Sequence, residues 1–304
     1  MRVAAIDCGT NSIRLLVADV AEGALVDVDR RMEIVRLGEG VDRTGRFSEA
    51  ALERTFAACD QYADAIGQWD AERVRFVATS ASRDVANRGA FIDGVRQRLG
   101  VEPDVISGHE EAHLSFTGAV RGLDPAVAAA PRLVVDIGGG STEFVLGDDA
   151  PNQAISVDIG CVRMTERHLR SDPPTQAEID AAVHDIDAAV ARAAASVALD
   201  QAHSLIGVAG TVTTVAALAL GLPAYDPEIL HGSVITAREV EEVTAALLAM
   251  PRADRAALPV MHPGRVDVIA GGALVLRAIV RATGQSRVVV SEHDILDGIA
   301  WALA

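Results

Sequence analysis

The chain contains no lysine; all 27 basic residues among its 304 are arginine. That excludes the G-x-x-x-x-G-K-[ST] phosphate loop, which needs a lysine to reach the β- and γ-phosphates. Positive charge is scarce altogether: against 43 acidic residues the balance is −16. A field of that sign disfavours non-specific adhesion to nucleic acid or anionic membrane. It also opposes a polyanionic substrate unless a divalent cation or a local arginine cluster offsets it. Cysteine is limited to Cys8, Cys59 and Cys161. That odd, widely spaced set predicts reduced thiols in a cytoplasm rather than a disulfide frame. No apolar run is both long enough and free enough of charge to span a bilayer, and Met1-Arg2-Val3 leads into a strand, unlike a signal peptide.

What is present is hydrophobic material for two cored domains and one pattern that occurs twice. Asp7-Cys8-Gly9-Thr10-Asn11-Ser12-Ile13-Arg14 follows an apolar run and leads into another. Asp136-Ile137-Gly138-Gly139-Gly140-Ser141-Thr142-Glu143 does the same in the second half. An apolar run, an aspartate, a glycine-rich tip and a second apolar run make a β-hairpin whose tip is permissive. Such a tip brings backbone N–H groups close to an oxyanion because no side chain obstructs the approach. The duplication suggests two halves facing each other across a cleft, each presenting one phosphate loop and one carboxylate.

The remaining pattern alternates strands and helices. Strands are predicted at Val3–Asp7, Ile13–Val20, Ala24–Val28, Met32–Arg36, Val74–Thr79, Asp104–Ile106, Leu205–Val208 and Val288–Ser291. Ser48 is placed to cap a helix with Leu52, Phe56, Cys59, Ala63 and Ile66 on one face. Further helices are predicted over Phe91–Leu99, Glu110–Val120, Glu178–Ala198, Thr213–Leu220, Glu239–Met250, Val266–Thr283 and Ile295–Leu303. The alanine- and proline-punctuated stretch from Gly122 to Pro131 reads as a domain junction. This is an α/β chain with mixed sheets.

The order of certain segments resembles the exopolyphosphatase and guanosine pentaphosphate phosphohydrolase family, part of the actin-like superfamily. The segments are Ile6-Asp7-Cys8-Gly9-Thr10-Asn11-Ser12, Leu37-Gly38-Glu39-Gly40, Ala78-Thr79-Ser80-Ala81-Ser82-Arg83 and Ile106-Ser107-Gly108-His109-Glu110-Glu111-Ala112. They continue with Asp136 to Glu143, Gly160-Cys161-Val162-Arg163, Gly210-Thr211 and Ala270-Gly271-Gly272. Longer members carry extra helical domains beyond the point where this sequence stops, at Ala304. The segment from Ser291 to Gly298 also carries His293 and Leu296 in place of the glycine and arginine common there.

The resemblance implies two ribonuclease H-like domains of the actin-like ATPase type, residues 1–124 and 125–304. The last helix is expected to return to the first domain and the active site to lie in the interdomain cleft. Asp7, Asp136 and Glu143 are expected to hold Mg²⁺, or another divalent cation such as Mn²⁺, since Mg²⁺ takes one or two carboxylates plus substrate phosphates and water. The alternative for either aspartate is to cap its own turn. Gly9, Thr10, Asn11 and Ser12, with Gly138, Gly139, Gly140 and Ser141, would donate to phosphoryl oxygens. The alternative is ordinary hairpin chemistry. Arg83 would meet a terminal phosphate bidentately; otherwise it pairs with Asp84 or another acid. Arg14 and Arg163 are weaker candidates, and Arg265 is expected to be structural. Glu111 is expected to orient or deprotonate the attacking water and Glu143 to complete the site. Glu110, about a hundred degrees away on the same helix, would face elsewhere and favour the helix dipole.

His109-Glu110-Glu111-Ala112-His113 also fits H-E-x-x-H, the zinc-protease signature. Ser107-Gly108 puts it at a helix start rather than inside a long helix, and the metzincin extension is missing. Cys8 and Cys161 are read as small buried residues without a catalytic role.

The expected activity is release of terminal orthophosphate from inorganic polyphosphate, short chains preferred. The alternatives are a guanosine pentaphosphate 5′-phosphohydrolase, an ATPase or kinase, or a non-hydrolytic nucleotide sensor. No nucleic-acid or membrane partner is expected, and a homodimer is.

Overall fold

The computed structural model describes residues 1–21, 23–83 and 85–304; the proposed Arg83–Asp84 pairing lies outside the described residues. In chain order the elements begin with β1 (Arg2–Cys8), β2 (Ser12–Ala21), β3 (Ala24–Ile34), α1 (Val41–Thr44), α2 (Glu49–Gln68), β4 (Arg73–Ala78), α3 (Arg88–Leu99), β5 (Asp104–Val105) and α4 (Gly108–Val120). There follow β6 (Arg132–Ile137), β7 (Thr142–Gly147), β8 (Pro151–Val157), α5 (Cys161–His168), α6 (Gln176–Ser196), β9 (Ser204–Val208) and α7 (Ala209–Ala219). The chain ends with α8 (Pro227–Leu230), β10 (Val234–Thr236), α9 (Ala237–Ala249), α10 (Arg252–Ala256), α11 (Ile269–Thr283), β11 (Arg287–Val290) and α12 (Ile295–Ala302).

The chain divides into two compact units. Unit 1 comprises Met1–Gly118 with Ile295–Ala304, and unit 2 comprises Ala119–Asp294. In unit 1 the sheet order is β3-β2-β1-β4-β5. β2 runs antiparallel to β1, and β4 and β5 continue parallel to it. β1 is buried on both faces because helices cover both. Ala4, Ile6 and Cys8 pack with Tyr62, Phe76 and Phe91, whereas Val3 and Ala5 pack with Ile106, Ile295 and Ile299. The last helix, α12, therefore belongs to the core of unit 1.

In unit 2 the order is β10-β11-β9-β6-β7-β8. β7 is again antiparallel to the founding strand β6, and β9 and β11 are parallel to it. A hairpin followed by parallel strands thus recurs in each unit.

Local signals act where side-chain chemistry is decisive. The Ser48 hydroxyl accepts from Ala51 N at 3.2 Å and caps α2. Thr175 with Glu178 and Thr236 with Glu239 form capping boxes at α6 and α9. Backbone N–H donation at Thr175, with the Thr175 hydroxyl, the Arg170 N–H and the Ser171 hydroxyl, holds the Glu178 carboxyl down at about 2 against an opposing desolvation. Two expectations change. Ala24–Val28 and Met32–Arg36 are one strand to Ile34, because its charged middle, Asp29 to Arg31, is stitched by ion pairs rather than broken by a turn. β8, α5 and β10 were not anticipated.

Candidate active site

In unit 1 the parallel strands β1, β4 and β5 end at one edge of the sheet, where open α/β sheets take ligands. Asp7 closes β1, Ser80–Ser82 and Arg83 follow β4, and Glu111 lies in the first turn of the helix after β5. The tip between β1 and β2 closes with Gly9 N donating to Ser12 O at 2.9 Å. Its carbonyls are committed elsewhere in the unit. Thr10 O accepts from Gly38 N at 2.8 Å, and Asn11 O accepts from Val35 N and Arg36 N at 3.1 and 2.8 Å. The Thr10 and Asn11 N–H groups have no protein acceptor among the described residues. Gly38 is needed for this clamp, since a Cβ there would sit 2.3 Å from the Thr10 methyl.

Asp7 is paired in register with Arg14, which donates to its Oδ2 through Nε at 3.1 Å and Nη2 at 2.6 Å. The weaker phosphate candidate Arg14 is thus the counter-charge of Asp7. Arg83 and Glu111 are brought into direct contact: the guanidinium donates to Ile106 O through Nε at 3.1 Å and to Glu111 Oε2 through Nη2. Glu111 is buried and Arg83 half-buried. Glu110 turns outward to Arg75 at 2.7 Å, which also holds Asp104. In H-E-x-x-H the catalytic glutamate would be Glu110, which this ion pair occupies, while His109 and His113 are exposed. The zinc-protease reading has no support in that geometry.

In unit 2 the tip between β6 and β7 repeats the same accounting with different supports. Gly138 N donates to Ser141 O at 3.0 Å. Gly138 O accepts from Cys161 N at 2.9 Å, and Gly139 O from Val162 N and Arg163 N at 2.9 and 3.1 Å. Gly140 O accepts from Arg163 Nε at 2.7 Å. The N-terminus of α5 therefore fastens the tip, and the Gly139 and Gly140 N–H groups have no protein acceptor among the described residues. Arg163 serves as a strut of this tip.

Asp136 and Glu143 face one another across the β6–β7 ladder, so their carboxylates lie on the same face of the sheet. Glu143 is buried, and its Oε1 accepts from Ser141 Oγ at 2.8 Å and Ser156 Oγ at 2.6 Å. The parallel strand β9 places Val208 beside Asp136. Ala209 then adopts φ +67°, a left-handed conformation that costs a non-glycine residue energy and concentrates at functional sites. Gly210 follows, with the Arg265 guanidinium within 2.3 Å of where its Cβ would be, and Arg265 donates to Thr214 Oγ1 at 2.9 Å.

The donor chemistry fits a divalent cation. Asp136 and Glu143 supply two buried carboxylates side by side, the hard oxygen ligands Mg²⁺ selects. Like charges directly opposite on a ladder destabilise it, and a cation offsets that cost. Among the described residues no three His, Cys, Asp or Glu side chains form a cage by themselves, and Mg²⁺ bound through one or two carboxylates does not require one. The thiols take no part: burial pushes Cys8 well up, Cys59 to about 12 and Cys161 to about 11.

Sequence reasoning missed the supports. Ser156 sits on the unanticipated β8, and Ser80, whose hydroxyl is 3.0 Å from that of Thr10, was singled out only as part of a motif. Gly160 is the sharpest omission: a Cβ there would lie 2.4 Å from Gly139 O and 2.7 Å from Gly138 O. It was singled out only as the first residue of the segment Gly160-Cys161-Val162-Arg163, and the glycine three residues before Arg163 was the available signal.

Two units of mixed sheet, each founded on a hairpin whose tip bares amide donors beside a carboxylate, define an actin-like ATPase fold. The chain belongs to the Ppx/GppA phosphatase family, whose model matches residues 16–302. It is 51% identical to exopolyphosphatase 2 of Mycobacterium tuberculosis over 316 aligned positions, covering 100% of this chain and 98% of that protein. The crystal structure of an exopolyphosphatase-like protein superposes with a TM-score of 0.96 at 44% identity, covering 100% and 98% of the two chains. That of the Aquifex aeolicus PPX-GPPA enzyme superposes with a TM-score of 0.81 at 29% identity, covering 99% of each. No helix among the described residues is long and apolar enough to cross a membrane.

Proposed function

We propose that the protein is an exopolyphosphatase that releases terminal orthophosphate from inorganic polyphosphate. The observation that carries this reading is the shared state of the two tips. Each has its carbonyls committed to the protein and two amide N–H groups left for an oxyanion. Their neutral donors let a chain of net charge −16 hold a polyanion, and the similarity to exopolyphosphatase 2 supports the substrate class.

In the proposed reaction the oxygen of a water attacks the terminal phosphorus while the P–O bond to the next phosphoryl group breaks. The shortened chain departs with the bridging oxygen. Glu111 orients the water and accepts its proton. Arg83, which holds Glu111 through Nη2, turns its remaining N–H groups to the terminal phosphate, for which a planar guanidinium is suited. Asp136 and Glu143, assisted by Asp7, would hold Mg²⁺ or Mn²⁺, which supplies charge neutralisation to the transferring group. Phosphoryl transfer depends mainly on placement and charge stabilisation, the two things these side chains provide.

The decisive experiment measures phosphate release from polyphosphates of defined length and from guanosine pentaphosphate, with and without Mg²⁺. Glu111→Gln keeps an acceptor for Arg83 and removes the base, so turnover is expected to fall by about 10²–10⁴-fold with folding unchanged. Near-parental release would overturn the assignment. Similarity to the guanosine-5′-triphosphate,3′-diphosphate pyrophosphatase of Aeromonas salmonicida, at 27% identity, favours guanosine pentaphosphate as the second substrate to test. We further propose a cytoplasmic location, a homodimer, a preference for short chains, and no nucleic-acid or membrane partner.

A further inference from the structure

Unit 2 has a second region of positive character, on the edge of its sheet opposite the Asp136 tip. The turn from Gly284 to Ser286 leads into the amino end of β11, which is parallel to β9, itself parallel to β6. Asp136 lies towards the carboxyl end of that set. At the amino edge a cavity of about 430 Å³ is lined by Arg238, Arg277, Arg281 and Ser286, with Glu241 as its one acidic residue.

One carboxylate serves two guanidiniums there, unequally. Glu241 takes Arg281 Nη2 at 2.9 Å on both oxygens but Arg277 Nη1 only at 3.4 Å. That long contact is the single side-chain hydrogen bond of Arg277 among the described residues, although its side chain is only 14% exposed. A guanidinium carries five N–H donors, and burying them without acceptors is costly. Arg238 is tied to Glu242 at 2.7 Å on the open surface. Burial lowers the pKa of Arg277, Glu241 and Asp187 oppose that, and the like charge of Arg281 adds to the lowering.

We propose that Arg277, Arg281 and Arg238 form an accessory site for a phosphate-class anion, separate from the Asp136 tip. Two guanidiniums sharing one carboxylate, a third at the rim and an adjacent serine hydroxyl match a multiply charged tetrahedral oxyanion. Phosphate oxygens would supply the acceptors that Glu241 does not reach. The anion would be either orthophosphate or a phosphoanhydride-like oligomer.

The test is calorimetric titration of the full chain with methylenediphosphonate, whose P–C–P bridge resists hydrolysis, and in parallel with orthophosphate. Arg277→Gln with Arg281→Gln should weaken one binding component by about tenfold or more, the scale of charged hydrogen bonds. Arg281→Gln alone, at an exposed position, should weaken it without touching the fold. Glu241→Gln should tighten that component, because the competing carboxylate is gone; a purely structural role predicts the opposite. A response to the diphosphonate alone assigns a bridged oligophosphate, and a response to both probes assigns a single phosphate. Titrations that superimpose across parent and variants, or weaker binding in Glu241→Gln, would overturn the proposal. Failure of the hydrolase reading would appear as absent phosphate release and would leave this titration unaffected.

Discussion

Replacing Gly160 by alanine tests the whole construction of the unit 2 tip with one methyl group. The added Cβ would meet Gly139 C at 2.5 Å, Gly139 O at 2.4 Å and Gly138 O at 2.7 Å. All three are backbone atoms, so no side chain can swing away. Restoring ordinary contact requires α5 and the tip to separate by about 1 Å, and overpacking of this kind costs about 1–3 kcal/mol. The separation also stretches the bonds from Cys161, Val162 and Arg163 N–H groups to the tip carbonyls. At about 2–4 °C per kcal/mol for a protein of this size, the melting temperature should fall by several degrees. The larger effect belongs to turnover, since a displacement of about 1 Å at the proposed phosphoryl-binding turn can cost about 10²-fold. The assay is phosphate release from polyphosphate beside a thermal melt. Gly67→Ala is the control: this glycine lies near the end of α2 with nothing within 4 Å of its Cβ position. Alanine there should stabilise by about 0.5–1 kcal/mol. A Gly160→Ala protein with parental melting and parental turnover would refute the view that α5 holds the tip in place.

Three further outcomes follow from the same geometry. Ser156→Ala removes one of two hydroxyls from Glu143 Oε1; loss of a residue that supports a metal ligand costs about 10–100-fold in metal affinity, so a Mg²⁺ titration of phosphate release should shift by about tenfold or more. Arg83→Lys cannot donate to Ile106 O and Glu111 at once as the guanidinium does, and kcat/KM should fall by about tenfold or more even though the charge is kept. Burial raises Cys59 to about 12 and Cys161 to about 11, so the stability they contribute is complete below the unfolded thiol value of about 8.5 and is lost as pH rises through those folded values. Melting temperature should therefore decline from about pH 8.5 upward, less steeply in Cys161→Ala; an unchanged slope in that variant would count against the assignment.

The hairpins were legible because their signal is local. Asp7 to Arg14 and Asp136 to Glu143 combine glycine conformational freedom with flanking apolar runs, and both features act within eight residues. The long helices were legible for the same reason, through Ser48 and the apolar stripe of α6. The strands β8 and β10 were not, because Pro151–Val157 and Val234–Thr236 are half-exposed edge strands with little hydrophobic period of their own; tertiary pairing makes them strands. The α2 face shows a subtler loss. Ala51, Leu52, Ala58, Cys59, Tyr62 and Ala65 are buried, and small residues carry little weight in an apolar count although they allow close packing. The Arg83–Glu111 contact joins positions 28 residues apart. Each residue was singled out alone, yet their pairing depends on β4 and β5 ending side by side.

The two tips also show at what level the duplication operates. Gly9-Thr10-Asn11-Ser12 and Gly138-Gly139-Gly140-Ser141 share a glycine at the start and a serine at the end. What they share beyond that is a hydrogen-bond scheme: the first N–H closes the turn on the serine carbonyl, and carbonyls of the tip are taken by other chain segments. In unit 1 the takers are Val35, Arg36 and Gly38 of a loop; in unit 2 they are Cys161, Val162 and Arg163 of a helix. Cross-strand chemistry then separates the roles. Opposite Asp7 stands Arg14, which neutralises it; opposite Asp136 stands Glu143, which doubles its charge. A cation is therefore drawn more strongly to the second hairpin than to the first, by a difference at a single register position. Arg14→Glu would copy the unit 2 arrangement into unit 1, and a rise in Mg²⁺ stoichiometry from one to about two per chain, the expectation for paired carboxylates, would be read by equilibrium dialysis. Unchanged stoichiometry in a folded variant would show that the facing carboxylates do not by themselves make the site.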